Sequence, residues 1–288
     1  MNKNKISHSF INKGKILFQN FRRLFTKKKC SAFNVSANNK KIECIEKIYV
    51  INLDRQPNRY NRVQSEFSKI MDTSRNRLTN ILERVTAVDA INLEQDAPID
   101  NINSKYTLGE QLFVDPCQAL PKDLNLDMNI NMSKQEIAVA LSHIKVWKKI
   151  ASGTESYALV IEDDICLHPN FSSLMEESWK ELIKKETKGN LFDILFLSFK
   201  EVDLGAEKVA FTESTFKLFR GIWYMSGYVL SKEGASKLIE MLPLRGPVDL
   251  WINHKFDQLT ALMIKKSIIP QRSHEASANS YSVLPILA

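Results

Sequence analysis

Short apolar runs alternate with segments of helical periodicity along most of the chain. Residues 47–52 form a β-rich run, and residues 58–70 follow with apolar positions at three- and four-residue spacing after a proline. A second β-rich run covers residues 82–87. A strand, a helix and a strand in this order predict two parallel strands joined by a right-handed crossover.

The remaining pattern extends this alternation. Residues 88–132 show no strong periodicity and predict short helices and loops near a site. Ser133 and Glu136 form a capping box, which predicts a helix that ends near Gly153. The later predicted elements are a strand over 157–161, a helix over 174–188, a strand over 192–198, strands or a hairpin over 208–230, a helix over 231–241, a short helix over 248–256 and a last strand over 265–270. Together they predict an α/β fold with a mostly parallel central sheet flanked by helices.

The apolar run at 157–161 ends in three consecutive carboxylates, Glu162, Asp163 and Asp164. Ionised carboxylates are too costly to bury unpaired, so the strand must deliver them to a sheet edge or crevice. In open α/β sheets, ligands bind at the carboxyl ends of the strands. Hard oxygen ligands suit Mg²⁺ or Mn²⁺, which bridge carboxylates to substrate phosphates. A metal–phosphate site is one interpretation, and a solvated acidic turn is the other.

The net charge of +7 over 288 residues is unevenly distributed. Residues 1–41 carry 11 Lys and Arg and no acidic residue, which leaves 29 basic against 33 acidic residues in the rest. The basicity therefore belongs to an N-terminal arm rather than to the folded body. A nucleic-acid-binding protein would spread basic residues over a folded face, so no nucleic-acid partner is expected.

Within this arm, residues 8–29 combine an apolar stripe at helical spacing with basic residues that lie mostly off it. A basic amphipathic helix of this kind can lie on an anionic membrane surface. A solvated, disordered tail is the alternative. Residues 26–41 are rich in Lys, Asn and Ser and predict a linker, so we divide the chain into an arm over 1–41 and a folded domain over 42–288.

Several features indicate the compartment. No apolar run approaches the roughly 20 residues that span a bilayer, and the arm lacks the pattern of a signal peptide. The four cysteines are scattered and form no CxxC pair, which favours a reducing environment. We therefore expect a cytoplasmic protein that the arm can attach peripherally to the inner face of the membrane.

Polar residues follow the first predicted strand, at the edge where a ligand would bind. Asn52, Asp54, Arg55 and Arg59 lie there. A short carboxylate can accept hydrogen bonds from a ribose or a base, and Arg59 can pair with phosphate oxygens. The alternative is an ordinary helix start whose charged residues are merely exposed.

Two further residues carry candidate chemistry. His143 lies in the helix before the acidic strand, where it is either a ligand-binding residue or, more commonly for a lone histidine on an apolar face, a hydrogen-bonded core residue. Asp249 follows a proline turn at the start of a short helix. It either caps that helix or acts as a base that deprotonates an acceptor hydroxyl.

The order of these motifs resembles glycosyltransferase family 25, which includes bacterial lipooligosaccharide galactosyltransferases and collagen galactosyltransferases. The resemblance covers residues 46–280. The motifs that carry it are Ile48-Tyr49-Val50-Ile51-Asn52-Leu53-Asp54-Arg55 with Arg59, Ala87-Val88-Asp89-Ala90, Leu141-Ser142-His143 with Trp147, Ala158-Leu159-Val160-Ile161-Glu162-Asp163-Asp164, Gly227-Tyr228-Val229-Leu230-Ser231 and Pro247-Val248-Asp249.

The resemblance implies a GT-A type, Rossmann-like fold. It also implies an inverting, metal-assisted transfer of a hexose, galactose from UDP-galactose, to a hydroxyl of a saccharide or glycolipid acceptor such as lipooligosaccharide. The implied cofactor is Mn²⁺ or Mg²⁺, held by Glu162 and Asp164, and the implied base is Asp249. The implied donor-binding residues are Asn52, Asp54, Arg55, Arg59, His143 and Asp163.

Two segments depart from the family pattern. Residues 221–226 stand where relatives have a smaller Gly-Thr-type sequence, and residues 88–132 are long and idiosyncratic. Both are expected to shape the acceptor side, so the acceptor does not follow from the resemblance. Two alternatives stay open, a metal-dependent nucleotide-sugar hydrolase or phosphodiesterase and a catalytically silent scaffold of the same fold.

Overall fold

An eight-stranded sheet is the centre of the fold, in a computed structural model that describes residues 28–35, 44–93, 100–116, 125–185, 190–272 and 282. In chain order its strands are β1 (Ile45–Asn52), β2 (Leu82–Thr86), β3 (Tyr157–Glu162), β4 (Ile194–Glu201), β5 (Glu207–Ala210), β6 (Thr215–Arg220), β7 (Ile222–Ser231) and β8 (Ala261–Ile264). Across the sheet the order is β5-β6-β8-β4-β7-β3-β1-β2. The order differs from the chain order because the chain repeatedly crosses the sheet.

The strand directions are mixed but mostly the same. β2, β1 and β3 are parallel neighbours, and so are β8 and β4. β7 runs antiparallel to both of its neighbours, and β6 does the same. Six strands therefore point one way, which confirms the predicted α/β class with a mostly parallel sheet. The register places Ile51 opposite Glu162, so β1 and β3 end at the same edge.

Helices cover both faces of the sheet. They are α1 (Pro57–Phe67), α2 (Leu108–Val114), α3 (Lys134–Ser152), α4 (Phe171–Lys185), α5 (Lys232–Glu240) and α6 (Val248–Asn253), with 3-10 turns at Leu78–Ile81 and Ala90–Asn92. Proline occupies the first turn of α1, where its missing N–H costs nothing. The capping box of Ser133 and Glu136 is present at the start of α3, as predicted.

Within the described residues, three short strand pairs lie outside the main sheet. They pair Lys28–Lys29 with Ile70–Met71, Ile102–Asn103 with Leu244–Arg245, and Lys105–Thr107 with Asn129–Asn131. The last two account for part of the 88–132 segment, which also holds α2; the short helix agrees with the prediction for this segment, and the short strands were not predicted.

Each of the two faces of the sheet has its own hydrophobic core. Successive side chains of β3 alternate between them, with Ala158 and Val160 on the α3, α5 and α6 side and Leu159 and Ile161 on the α1 and α4 side. This alternation is the two-residue period of a strand buried on both faces. We call the first the α3 face and the second the α4 face.

Two predictions along the chain need correction. The last strand is Ala261–Ile264 rather than 265–270, because its four apolar residues are buried between β4 and β6 whereas Lys265 is exposed. Residues 28–35, within the predicted linker, pack on the α4 face with Cys30, Ala32 and Phe33 buried. This stretch therefore belongs to the folded domain.

The amphipathic helix predicted for the arm lies outside the described residues, apart from its last two positions. Among the described helices, none is long and apolar enough to cross a bilayer.

Candidate functional site

The three carboxylates Glu162, Asp163 and Asp164, which we call the acidic block, lie at the carboxyl end of β3. Glu162 is the last residue of β3, and Asp163 and Asp164 form the turn that follows. Because β1 ends at the same edge, Asn52 and the start of α1 lie beside this turn. The apolar residues of β3 fix the position of the three carboxylates by burial between two helical layers.

Asp163 ties the two strand ends together. Its Oδ2 accepts a hydrogen bond from Asn52 Nδ2 at 2.5 Å, and its Oδ1 accepts one from Arg59 Nη1 at 3.3 Å. Burial raises the pKa of Asp163, and Asn52 and Arg59 oppose that rise. Both oxygens of Asp163 thus have protein partners, which suits a residue that positions its neighbours.

Asp164 has the opposite environment. Its Oδ1 is buried and has no hydrogen-bond partner among the described residues. Burial, with repulsion from Glu162 and Asp163, raises the pKa of Asp164 from 3.8 to about 7. A buried carboxylate oxygen without a partner costs free energy that a bound cation would recover.

Glu162 lies between two cavities and lines both of them. Its Oε1 is 3.4 Å from His143 Nε2, and its Oε2 accepts a hydrogen bond from Gln271 Nε2 at 3.4 Å. Its side chain is 22 % exposed, so it can contact a ligand from either cavity.

The larger cavity has a volume of about 160 Å³ and opens at the carboxyl ends of β1 and β3. Arg55, Arg59, Asp89 and the acidic block contribute its charged groups. Arg55 is held by Asp89, whose Oδ2 accepts from Arg55 Nε at 2.6 Å. That hydrogen bond lowers the pKa of Asp89. The cavity therefore presents two guanidinium groups and four carboxylates, with Arg55 paired to Asp89 and Arg59 to Asp163.

The other predicted donor-binding residues lie in different surroundings. Asn52 is buried beneath the cavity, where its Oδ1 accepts from Arg84 Nε at 2.6 Å. Asp54 is exposed and accepts hydrogen bonds from Arg84 Nη2 at 2.6 Å and Thr86 Oγ1 at 3.2 Å. Neither residue lines the larger cavity. Their donor-binding roles stay predictions.

His143 is buried in the cavity wall, with 1 % of its surface exposed. Its Nδ1 is 2.9 Å from the Tyr228 hydroxyl, which also accepts a hydrogen bond from Trp147 Nε1 at 2.9 Å. Burial raises the pKa of Tyr228, so the hydroxyl keeps its proton. His143 is therefore a hydrogen-bonded core residue that also contacts the acidic block, and its donor-binding role stays a prediction.

Asp249 lines the smaller cavity, of about 50 Å³, together with Glu162 and Tyr224. Its Oδ1 accepts from the backbone N–H of Leu250 at 3.0 Å, and its Oδ2 accepts from that of Tyr224 at 3.4 Å. Burial raises the pKa of Asp249 from 3.8 to about 6. The residue before α6 is Pro247, and no side-chain cap of that helix is present.

Tyr224 contacts Asp249 through a strained backbone. Its φ is 76°, in the left-handed region that residues other than glycine rarely adopt. The residue lies where the pairing of β7 with β4 shifts register, between Trp223 and Gly227. Strain of this kind clusters at functional sites, where the surrounding structure over-determines it.

Three residues of the site carry no role in the sequence-based prediction. Asp89 follows the end of β2, and the rule that ligands bind at the carboxyl ends of parallel strands could have identified it. Gln271 lies in a stretch without pattern. Tyr228 is 85 residues from His143 in sequence, so no local signal links the two.

The acidic block would bind a metal ion through a few protein ligands and leave its other coordination positions open. Within the ranges that the structure describes, no group of three or more His, Cys, Asp or Glu side chains is arranged to hold a metal ion. Mg²⁺ is commonly bound by one or two carboxylates plus phosphates and water, and Mn²⁺ prefers the same ligands. The unpartnered oxygen of Asp164 and the neighbouring Glu162 fit such a site.

The fold and the site define an α/β protein with an acidic cavity at the carboxyl ends of its central strands. The family described as "Glycosyltransferase family 25 (LPS biosynthesis protein)" matches residues 45–252. The chain therefore belongs to glycosyltransferase family 25, which confirms the resemblance seen in its motifs.

Individual relatives support this family membership. A "Glycosyltransferase 25 family member" of Aedes aegypti is 27% identical over 216 residues, covering 74% of this chain and 31% of the relative. A "Probable inactive glycosyltransferase 25 family member 3" of Bos taurus is 26% identical over 247 residues, covering 84% and 36%. The chain thus spans about a third of the length of these curated relatives.

Proposed function

We propose that this protein is a nucleotide-sugar-dependent glycosyltransferase of GT-A type that transfers a hexose to a hydroxyl group of a saccharide. One observation carries the proposal: the larger cavity sets Arg55 and Arg59 beside an acidic block in which one buried Asp164 oxygen has no partner among the described residues. Phosphates need the first feature and a phosphate-bound cation needs the second.

On the donor side, Arg55 and Arg59 bind diphosphate oxygens, while Asp163 and Asn52 hold the ends of β1 and β3 in place. Asp164 and Glu162 would hold Mn²⁺ or Mg²⁺. When bound, that ion stabilises the charge that develops on the leaving diphosphate, as a Lewis acid.

On the acceptor side, Asp249 is the proposed base, and its position in the wall of the smaller cavity supports this role. The acceptor oxygen forms a bond to the anomeric carbon while the bond from that carbon to the diphosphate oxygen breaks. The hydroxyl proton passes to the Asp249 carboxylate, and the electron pair leaves with the diphosphate. A single displacement of this kind inverts the anomeric configuration.

Galactose from UDP-galactose is the first donor to test, and a lipooligosaccharide-type glycolipid is the first acceptor. Residues 8–29 would hold the enzyme on the inner face of a membrane that carries such an acceptor. This part of the proposal rests on the basic amphipathic pattern of the arm and on the description of the family.

A catalytically silent protein of the same fold is the second candidate. It is favoured by the relatives of Bos taurus and Homo sapiens whose names include "inactive". The acidic block and the paired cavities of this chain favour the transferase.

A thermal-shift panel of UDP-, GDP- and CMP-sugars, each with and without Mn²⁺, separates the two candidates. A ligand that binds only the folded state stabilises it by about 2.7 kcal/mol at 100 times its Kd. The transferase predicts a rise in Tm that requires both one nucleotide sugar and the metal. No rise with any pair would favour the silent protein, and rapid cleavage of simple phosphodiesters would favour a hydrolase.

A further inference from the structure

Four side chains are linked in series from the core of the α3 face to the acidic block. α3 supplies Trp147 and His143, one helical turn apart, β7 supplies Tyr228, and β3 supplies Glu162. Trp147, Tyr228 and His143 are at most 1 % exposed. The contacts run from Trp147 Nε1 to the Tyr228 hydroxyl at 2.9 Å, from that hydroxyl to His143 Nδ1 at 2.9 Å, and from His143 Nε2 to Glu162 Oε1 at 3.4 Å.

The direction of each hydrogen bond follows from the groups involved. An indole N–H can only donate, so the Tyr228 oxygen accepts from Trp147. The single hydroxyl hydrogen of Tyr228 then donates to His143 Nδ1. His143 Nδ1 is thereby an acceptor, and the ring hydrogen of the neutral imidazole lies on Nε2, which faces Glu162. This tautomer is assigned from the hydrogen-bond network.

The opposite assignment leaves a buried group unsatisfied. With a hydrogen on His143 Nδ1, two donors would meet at the Tyr228 oxygen. The hydroxyl hydrogen would then have no acceptor among the described residues, because His143 Nδ1 and Trp147 Nε1 are the two partners of this oxygen there. A buried donor without an acceptor is destabilising, so the network favours the hydrogen on Nε2.

Glu162 is held from both sides as a result. His143 Nε2–H faces one carboxylate oxygen, and Gln271 Nε2 donates to the other at 3.4 Å. Both contacts are at the long end of the hydrogen-bond range. The orientation of Glu162 matters because it lines both cavities.

We propose that Trp147, Tyr228 and His143 form a relay that fixes the Nε2–H tautomer of His143 and thereby orients the Glu162 carboxylate between the two cavities. The relay makes His143 a positioning residue that acts through Glu162. This proposal rests on the proposed function only in assuming that Glu162 binds a ligand.

The tautomer can be measured without any activity assay. In the full-length protein labelled with ¹⁵N-histidine, the His143 signals are those missing from the His143→Gln spectrum. We expect a neutral ring with an unprotonated Nδ1 and a protonated Nε2, and Tyr228→Phe should shift these signals toward a mixture of tautomers. A ring protonated on Nδ1 in the wild type, or signals unchanged in Tyr228→Phe, would overturn the relay.

Two substitutions at His143 test its effect on transfer. Glutamine places an amide N–H near the position of Nε2, whereas asparagine reaches only the position of Nδ1. Loss of a group that orients a ligating residue typically costs about 10–100-fold. We expect a loss of this size in kcat/KM for His143→Asn, and His143→Gln should keep most of the activity. Equal activities of the two variants would contradict the positioning role.

Tyr157→Phe is the matched control for Tyr228→Phe. Tyr157 is also buried in the sheet, and its hydroxyl donates to Asn190 Oδ1 at 2.5 Å and accepts from the backbone N–H of Leu191 at 2.8 Å. Both variants should lose stability, but only Tyr228→Phe should lose activity. Equal losses of activity would reduce the relay to core packing, and a wild type without transferase activity would refute the proposed function while the ¹⁵N result still decides the relay.

Discussion

The two faces of the sheet are built from similar aromatic residues but put their polar groups to different uses. On the α4 face, Tyr157, Trp179 and Phe192 pack edge to face or tilted at centroid distances of 5.2–5.7 Å, and the Tyr157 hydroxyl bonds to the loop before β4. On the α3 face, the Tyr228 hydroxyl links Trp147 to His143 and so to the acidic block.

This difference indicates that the candidate site belongs to the α3 face. Both cavities open on the α3 side of the carboxyl edge and include residues of α3 in their walls. Under the proposed function, the α4 face contributes stability, and the α3 face contributes stability together with the orientation of the groups that would bind the ligand. Substitutions on the two faces should therefore separate loss of folding from loss of activity.

The largest loss of activity is expected from Asp249→Asn. A positioned base contributes about 10²–10⁴-fold, so kcat should fall by that factor. The wild-type rate should also fall below pH 6, because protonation removes the base from a carboxyl whose pKa is about 6. The pH–rate profile of the variant should lack this limb. A retained limb would assign it to another group.

Asp164→Asn should cost about 10²–10³-fold in kcat, the usual effect of removing one electrostatic contact to a developing charge. Its thermal stability should not fall, since the change removes a buried negative charge that Glu162 and Asp163 repel. Asp203→Asn, at an exposed position in the turn after β4, is the control and should be fully active. Near-normal turnover of Asp164→Asn would refute the metal role.

Leu182→Ala tests the α4 face. Leu182 is 2 % exposed on α4, and removing a buried leucine side chain costs about 2–5 kcal/mol. Chemical denaturation should show this loss, while kcat/KM per folded molecule should stay at the wild-type value. A large drop in kcat/KM would mean that the α4 face also shapes the site.

The smallest effect concerns the pH dependence of stability. The pKa of Asp249 is raised in the folded state, so its contribution to stability is fully present below pH 3.8 and is lost as the pH rises through about 6. Across this window the stability difference between Asp249→Asn and the wild type should grow in favour of the variant. Denaturation curves at several pH values measure the difference. A constant difference would show that Asp249 ionises normally.

Local signals in the sequence were enough to predict most elements of the fold. The capping box at Ser133, the proline in the first turn of α1 and the apolar run of β3 each act within a few residues, and their elements were predicted close to their true bounds. The burial of Phe33 and the true position of β8 depend on pairing with distant strands. Such pairing leaves little local trace, and both were missed.

The candidate site could likewise be predicted only in part. The acidic block could be predicted because three carboxylates directly after a buried strand have few structural explanations. Which carboxylate is engaged could not be predicted, since Asp163 meets Asn52 across 111 residues of sequence whereas the buried oxygen of Asp164 meets no described partner. Only the packed fold distinguishes the two.

The most direct test of the central claim is isothermal titration calorimetry of UDP binding, with and without Mn²⁺, to the wild type and to Asp164→Asn. If the acidic end of β3 is a metal-assisted nucleotide site, Mn²⁺ should strengthen UDP binding to the wild type and have little effect on the variant. Equal enhancement by Mn²⁺ in both proteins, or no UDP binding to the wild type, would contradict the claim.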